Sequence, residues 1–560
     1  MENPGLKPAT SHWQNTLTQP AIASIFLALL CLGLHHSVLS GGWRFDDGDH
    51  LNFASTYAPW QYFLMPEITR LQSGANLTPW NTLFYDINLS LFGLNPTGFY
   101  MHQLMLIWLT SVATYFLLKL WIAPLWSLMG AVIFLVGAPT VHIANEIMTG
   151  HYASGLLFTV IALYAYVRAV REQRVSLALI GTLFYLLAVT CKEIYVPLIA
   201  ILPFLPVGTL KDRLRFALPF SFVALAYIFW RLHVLGRLFG GYNLGGNYDF
   251  LLIIETFSNL PFFLFGNHLA GKLAVIIIGL FILYWIYRRQ VNLKLTAVAL
   301  GLLLFPLIPL VNFPGISAPD RYLYFIGWGL ALFLAYLFSL SSNKLNTQLA
   351  WLAGIILISI SWMHSREEQQ NLLNMAMPTE KSYEFMLNSH ANQVYIESNF
   401  NYYFGAVLPG AVATQKKLVP SSPDRARIVP DMEQLAAIDL THVSVWSYSD
   451  ACRCVEDVTS TLPARVADYH NKLTQRALSV SLHIENLKAT WHFGPYQDGE
   501  YAIMINNQGF FPLPRSGAHS YPRKTLEGYI LYKSPQGWIT KSPQFHIDAL
   551  SQSKWEWSRR

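Results

Sequence analysis

The sequence predicts a polytopic α-helical membrane domain over residues 1–363, followed by a soluble domain outside the bilayer over residues 364–560. Three observations predict it. Hydrophobic residues make up 53% of the 560 and charged residues only 12%, about half the charged share of a soluble globular protein. The long apolar runs lie almost entirely before residue 364. Basic residues gather in alternate loops between those runs. Such a composition excludes a soluble enzyme, a disordered chain, and a collagen-like or disulfide-rich secreted protein.

A membrane helix needs about 20 mostly apolar residues. About eleven stretches approach this: 21–40, 100–118, 125–141, 152–167, 175–190, 194–207, 216–235, 273–287, 295–311, 322–341 and 349–363. Pro197, Pro203, Pro306 and Pro309 predict kinks in the shorter ones. The first span is long enough to remain as an anchor rather than a cleaved signal. With the N-terminus in the cytoplasm, the five inner loops hold eleven basic residues (Lys119, Arg168, Arg171, Arg174, Lys211, Arg213, Arg215, Arg288, Arg289, Lys294 and Lys344). Only Glu172 and Asp212 oppose them. The outer loops hold six basic and ten acidic residues. This is the positive-inside distribution. It requires the semi-apolar stretch 251–270 not to span, because otherwise Arg288 and Arg289 would fall outside.

The exterior part has two textures. Residues 364–476 mix helical patterns with short strands such as QVYIES and HVSVWSY, which predicts a small α/β segment. Residues 477–560 are strand-rich with turn signals every 8–12 residues, which predicts a β-sandwich-like domain. Its aromatics, from Trp491 to Trp538, are expected mainly to fill the sandwich core. Cys452 and Cys454 are two apart, too close for an unstrained disulfide and too few for a zinc site. Cys31 and Cys191 behave as small apolar groups. The net charge of +6 is spread over inter-helix loops, so it is no nucleic-acid patch.

The orientation gathers the polar clusters at one membrane face. In Trp43-Arg44-Phe45-Asp46-Asp47-Gly48-Asp49-His50, adjacent carboxylates raise each other's proton affinity, which suits a general base or a metal ligand. They open a 59-residue loop, 41–99, whose apolar stretches suit the membrane interface. Lys192 and Glu193 sit between two spans, either as a snorkelling ion pair or as a holder for an anionic head group. Asp320, Arg321 and Tyr322 open another span, and a guanidinium binds phosphate bidentately. Arg231 is the one charge inside an expected span and therefore a functional candidate. His142, Glu146 and His151 share a further outer loop. Acid from one loop with Lys and Arg from others suits a negatively charged, lipid-linked substrate whose tail stays in the bilayer.

In order along residues 1–340, several stretches resemble the GT-C superfamily of polyprenyl-phosphate-sugar glycosyltransferases. The likeness is to the membrane half of the transmembrane and tetratricopeptide-repeat O-mannosyltransferases and their bacterial relatives. Phe45-Asp46-Asp47 is similar to the family's first-loop acidic motif. Leu77-Thr78-Pro79 with Phe92-Gly93-Leu94-Asn95-Pro96 resembles its "RPL…GLNP" passage, and Cys191-Lys192-Glu193 its "SKE". Tyr227 to Arg231 resembles its "Y…R", and Asp320-Arg321-Tyr322-Leu323-Tyr324 its "ERYLY". The sequence departs from the pattern at Thr78, at Tyr100, Gln103 and Ile107, and at Ala138 before Pro139. The repeats are absent, so their acceptor is not implied.

The resemblance implies an inverting enzyme that moves a sugar from a polyprenyl-phosphate donor to a hydroxyl of a protein, lipid or glycan on the outer face. Asp46 would be the base, with Asp47 as orienter or alternative base. Lys192, Arg321 and Arg231 would hold the donor phosphate, and Glu193, His142, Glu146, His151 and Tyr322 would line the substrate site. No cofactor is required, although a divalent metal would suit the acidic pair. The partners expected are the donor, the acceptor and the bilayer, with no nucleic acid. The expected location is a bacterial inner membrane with the exterior domain in the periplasm, the alternative being the ER membrane with a lumenal domain. A transporter or flippase for lipid-linked glycans would share the anion-binding face, and a non-catalytic scaffold would use the exterior domain alone. The orientation has a direct check. A reporter enzyme fused after residue 292 is expected to read as cytoplasmic, and an exterior reading would overturn the assignment.

Overall fold

The computed structural model describes residues 19–238, 250–288, 298, 301–302, 321–341, 344–388, 393–397, 411, 413–415, 417–418, 427–429, 432–485, 488–505, 509–520, 525–547 and 553–560. Most of the span expected at 295–311, and Asp320, lie outside these residues. Among the described residues, seven helices are long and apolar enough to cross a membrane, or eight if one bent pair counts as a single span. The membrane domain comprises α1 (Pro20–His35), α2 (Asp47–Ala54), α3 (Pro79–Phe92), α4 (Pro96–Leu118), α5 (Pro124–Leu135), α6 (Ala138–Asn145) and α7 (Gly150–Glu172). It continues through α8 (Val175–Cys191), α9 (Leu210–Leu235), α10 (Phe250–Phe265), α11 (Leu269–Tyr287), α12 (Tyr324–Ser339) and α13 (Lys344–Asn388).

The bundle has two chemically distinct ends. At one end, Arg171 donates to the Leu120 carbonyl at 2.6 Å and Trp121 to that of Pro206 at 3.3 Å. There Arg213 caps the carbonyls of Leu205 and Val207 at 3.0 and 3.1 Å. Loops up to 85 residues apart therefore meet at an end that carries Arg171 and Arg213. Among the described residues, the polar clusters around Asp46, His142, Lys192 and Arg321 lie at the opposite end.

Two spans depart from regular helix. The stretch 194–207 forms two 3-10 helices, Glu193–Ala200 and Leu202–Phe204, rather than an α-helix. Pro197 and Pro203 each remove a backbone donor. A 3-10 path rises about 2.0 Å per residue against 1.5 Å in an α-helix. This drawn-out segment thus runs from Lys192 at the site end to Leu205 beside Arg213 at the basic end.

The other departure is the 55° bend between α5 and α6. Pro139 removes a donor there, and the freed carbonyls find hydroxyls. Thr140 Oγ1 donates to the Phe134 carbonyl at 2.8 Å. Ser361 and Ser365 of α13 donate to that of Val136 at 3.1 and 2.5 Å. A break at membrane depth requires such partners because no water is available. The stretch 251–270 is covered by α10, a turn through Gly266 at φ 79° and the start of α11. α10 packs on α6, α11 and α13.

α13 runs unbroken for 45 residues from the membrane domain into the C-terminal part. There β1 (Gln393–Glu397), β2 (Arg427–Ile428), β3 (Val443–Ser449) and β4 (Cys454–Asp457) form a sheet in the order β2-β1-β3-β4. β1 is parallel to both neighbours and β4 is antiparallel to β3. Trp446 and Ala411 are buried in the same apolar cluster as the bundle, so this unit is seated on it.

The Cys452–Cys454 pair corrects the sequence reading, because the two are joined by a disulfide. Arg453 between them adopts φ 53°. This left-handed residue turns the chain so that the Cα atoms lie 5.2 Å apart, within disulfide reach. Spacing alone had assumed ordinary backbone.

The remaining strands are β5 (Leu478–Glu485), β6 (Lys488–Gly494), β7 (Glu500–Ile505), β8 (Gly509–Leu513), β9 (Ser516–Ser520), β10 (Leu526–Lys533), β11 (Ile539–Lys541), β12 (Phe545–Ile547) and β13 (Ser553–Arg559). They form two antiparallel sheets, β11-β10-β7-β8 with β12 against β10, and β13-β5-β6-β9. Burial alternates along β5, sending Leu478, Val480, Leu482 and Ile484 inward to meet Tyr501, Ile503, Ile530 and Phe545. Phe493, Tyr501 and Tyr532 are core residues, while Trp491, Tyr496, Phe511 and Trp538 pack partly buried around them.

Replacing both Ser361 and Ser365 by Ala is expected to leave the Val136 carbonyl without its hydroxyl partners. The loss should be about 1–3 kcal/mol, read as a lower thermal midpoint in detergent. Each single variant should lose less, because the other hydroxyl still donates. An unchanged midpoint in the double variant would show that the bend is held by other contacts.

Candidate active site

α2 carries the first-loop acids. Asp47 and Asp49 stand in its first turn, where the helix dipole favours carboxylates. Asp46 occupies the N-cap position, yet its side chain closes no capping hydrogen bond to the helix. It is half-buried, whereas Asp47 is fully buried. Both Asp47 oxygens accept from protein donors: the Tyr85 hydroxyl of α3 at 2.5 Å and the Arg44 amide at 2.6 Å. Burial pushes the Asp47 carboxyl up to about 7, against the lowering effect of those donors and of the Arg44 guanidinium. Phe45, immediately before the pair, has φ 46°. A non-glycine residue there persists only when its surroundings over-determine it.

The preceding residue, Arg44, is buried. Its Nε donates to Glu380 Oε1 of α13 at 2.5 Å and its Nη1 to the Asn145 carbonyl at 2.9 Å. Its guanidinium also lies 5.3 Å from the centre of the Tyr100 ring. Further along α2, the His50 ring lies 5.2 Å from that of Tyr85, with Nε2 3.2 Å from Asn81.

The cations come from three other elements. Lys192 is buried where α8 meets the 3-10 segment, with Nζ 5.5 Å from the Tyr152 ring centre and 6.0 Å from that of Tyr322. Arg321 lies over the same Tyr322 ring at 5.3 Å and 3.6 Å from Glu146 Oε2. Burial lowers the Lys192 ammonium to about 8, Glu193 opposing that shift and Arg321 and Arg231 adding to it.

Arg231 is placed differently. It donates to Glu193 Oε1 at 2.5 Å, to the Ala75 carbonyl at 3.1 Å and to the Leu238 carbonyl at 3.0 Å. Glu193 also accepts from the Leu77 amide at 3.2 Å and sits 3.8 Å from Lys192. Arg231 and Glu193 together therefore brace the 75–77 segment.

His142 bridges two carboxylates, 3.6 Å from Glu146 and 3.8 Å from Glu368. Gln103 holds the same turn by donating to the carbonyls of Ile143 and Glu146. His151 lies beside Tyr152, with ring centres 4.5 Å apart.

Lys192, Glu193, Arg231, Arg321, Tyr322, Glu146 and His142 thus form one chain of contacts. Asp47 belongs to a second group with Arg44, Tyr85 and His50, next to Asp46. Sequence reading assigned no role to Arg44, His50, Tyr85, Tyr152, Glu368 or Glu380. Arg44 and His50 carried a signal, lying in the conspicuous acidic run. Glu380 carried none, being 336 residues from its partner.

Each Asp47 oxygen accepts one hydrogen bond, from the Tyr85 hydroxyl or the Arg44 amide, so a divalent cation at the acidic pair would draw on Asp46 and the remaining Asp47 lone pairs. Among the described residues, the one close group of metal-ligand types is Cys452, Cys454 and Glu456, and its two sulfurs are bonded to each other.

No protein-family model matches the sequence, and no curated protein matches it. Among solved structures it is similar to ArnT from Cupriavidus metallidurans in the apo state. That likeness has a TM-score of 0.44 at 9% identity, over 79% of this chain and 94% of that one. It is also similar to ArnT bound to undecaprenyl phosphate, with a TM-score of 0.42 at 11% identity and the same coverage. At these values no residue role passes from one chain to the other.

The buried ammonium gives the site a pH signature. Positive charge at Lys192 is present below about 8 and is lost as pH rises through that value. Binding of an anionic lipid whose own charge does not titrate, such as a phosphodiester, is expected to weaken above pH 8. Lys192→Arg should flatten the profile, since a guanidinium stays charged. A wild-type profile already flat from pH 7 to 10 would remove Lys192 from anion binding.

Proposed function

We propose that the protein is a GT-C-type glycosyltransferase that moves a sugar from a polyprenyl-phosphate donor to a hydroxyl acceptor at the outer face of the membrane. The observation that carries this reading is the meeting of Lys192 and Arg321 over the Tyr322 ring, at the same end of the bundle as Asp46. The sequence motifs that resemble the superfamily lie on these same residues. A buried ammonium beside a guanidinium attracts an anion, even with Glu193 and Glu146 nearby at 3.8 and 3.6 Å. A lipid-linked phosphate supplies that charge while its tail remains in the bilayer.

A sugar phosphate is already activated. As the acceptor oxygen bonds to the anomeric carbon, the bond from that carbon to the phosphate oxygen breaks and its electron pair stays on the phosphate. Lys192 and Arg321 stabilise the added negative charge, which is greater in the transition state than in the donor. Asp46 takes the acceptor proton. Asp47 is the positioning partner, because each of its oxygens accepts a hydrogen bond and its carboxyl is buried. Arg231 contributes its field and braces Glu193 beside Lys192. Attack opposite the leaving phosphate inverts the anomeric centre. No step calls for a metal or an organic cofactor.

The acceptor is a hydroxyl of a protein, a lipid or a glycan. The favoured location is a bacterial inner membrane with the exterior domain in the periplasm. Asp46→Asn tests the assignment, with release of polyprenyl phosphate as the assay and a panel of polyprenyl-phosphate sugars as donors. Turnover should fall by at least 100-fold, within the range for a general base, while polyprenyl phosphate binds as before. Retained turnover would move the base elsewhere. Absence of turnover in the wild type with every donor would remove the enzymatic reading.

A further inference from the structure

Two contacts reach from the exterior domain to α2, one at each of its ends. Eight residues are too few for an isolated helix to be stable in water, so α2 depends on its neighbours. At its N-terminal side, Glu380 holds Arg44, whose amide holds Asp47. The Glu380 side chain also lies where a Cβ on Gly42 would fall, 3.2 Å away. At its C-terminal side, Lys417 Nζ donates to Asn52 Oδ1 at 2.8 Å and Thr56 Oγ1 at 2.5 Å, with Ser55 Oγ at 3.4 Å. An ammonium there also complements the negative end of the helix dipole.

Neither residue belongs to the membrane core. α13 has 45 residues, which gives roughly 67 Å of helix against a hydrocarbon thickness of about 30 Å. Glu380 lies in its final turns. Lys417 lies beyond β1, in the exterior unit that Trp446 and Ala411 seat on the bundle.

We propose that Glu380 and Lys417 are positioning residues for transfer, so that the exterior domain holds the Asp46 helix at both ends and completes the site. The proposal rests on the function given above, and it deepens it by assigning the domain a part in the reaction. Glu380 acts through Arg44 and Asp47 on the strained Phe45-Asp46 step, and Lys417 acts through the last turn of α2. Neither touches the donor. Their loss should therefore lower the rate of transfer and leave donor binding in place.

The experiment uses full-length protein in detergent or nanodiscs, with variants Glu380→Gln, Lys417→Ala and Lys417→Arg. Lys417 is exposed, so its replacement spares the fold even if Glu380→Gln does not. Amide hydrogen exchange across residues 44–56 is expected to quicken about tenfold in Glu380→Gln and Lys417→Ala and to return toward wild type in Lys417→Arg. Turnover should fall about 10- to 100-fold in the first two variants, the scale of a small misplacement of a catalytic group. KM for the donor and binding of polyprenyl phosphate should stay within twofold.

Unchanged exchange across 44–56 in both variants would overturn the proposal, whatever the activity. Faster exchange with unaltered turnover would overturn the positioning role, leaving a structural contact. If the wild type turns over no donor while exchange responds as expected, the transfer chemistry fails and the hold on α2 stands.

Discussion

The site depends on one buried guanidinium. Arg44 joins four parts of the chain: Glu380 near the end of α13, Asn145 at the end of α6, Tyr100 on α4, and through its own amide the Asp47 carboxylate. A buried charge is tolerated only when it is paired and hydrogen-bonded. Here the pairing also fixes where the first loop enters α2. Removing Glu380 would leave an uncompensated cation, which is why such pairs are far costlier to break than to replace as a whole. The bend between α5 and α6 serves the same arrangement, because it delivers Asn145 to Arg44 and Glu146 to Arg321.

Much of the architecture was legible in the sequence, and particular residues show why. The apolar runs marked the membrane-length helices, since length and composition do not depend on tertiary packing. The sandwich was legible because β5 alternates strictly from Leu478 to Ile484, a period that has one structural solution. The site residues were legible as residue types, each near the end of an apolar run. Their pairing was not. Lys192 and Glu193 read as a local ion pair, yet Glu193 is bound more closely by Arg231, 38 residues away, than by its neighbour. No pattern within either segment announces that exchange.

The failures were local in another sense. The stretch 194–207 has the composition of a helix, and its two prolines redirect it into 3-10 turns. The Cys452–Cys454 bond depends on a left-handed Arg453, a conformation that neither residue type nor spacing predicts. At 194–207 the prolines marked a break but not its 3-10 form, and at Arg453 nothing marked the turn.

The charge arrangement also explains why the site is built from three distant loops rather than one. Lys192 has a carboxylate at 3.8 Å and Arg321 has one at 3.6 Å, so each cation lies within ion-pair range of an acid. A single loop could not hold two such groups close together, because mutual repulsion would push flexible side chains apart into water. Buried against the Tyr152 and Tyr322 rings, Lys192 has no such escape. The aromatic faces supply partial compensation without neutralising the charge. In the proposed reaction this pair receives the donor phosphate. The rigid contacts elsewhere, from Arg44 to Glu380 and from Arg231 to Glu193, hold the three loops against that repulsion.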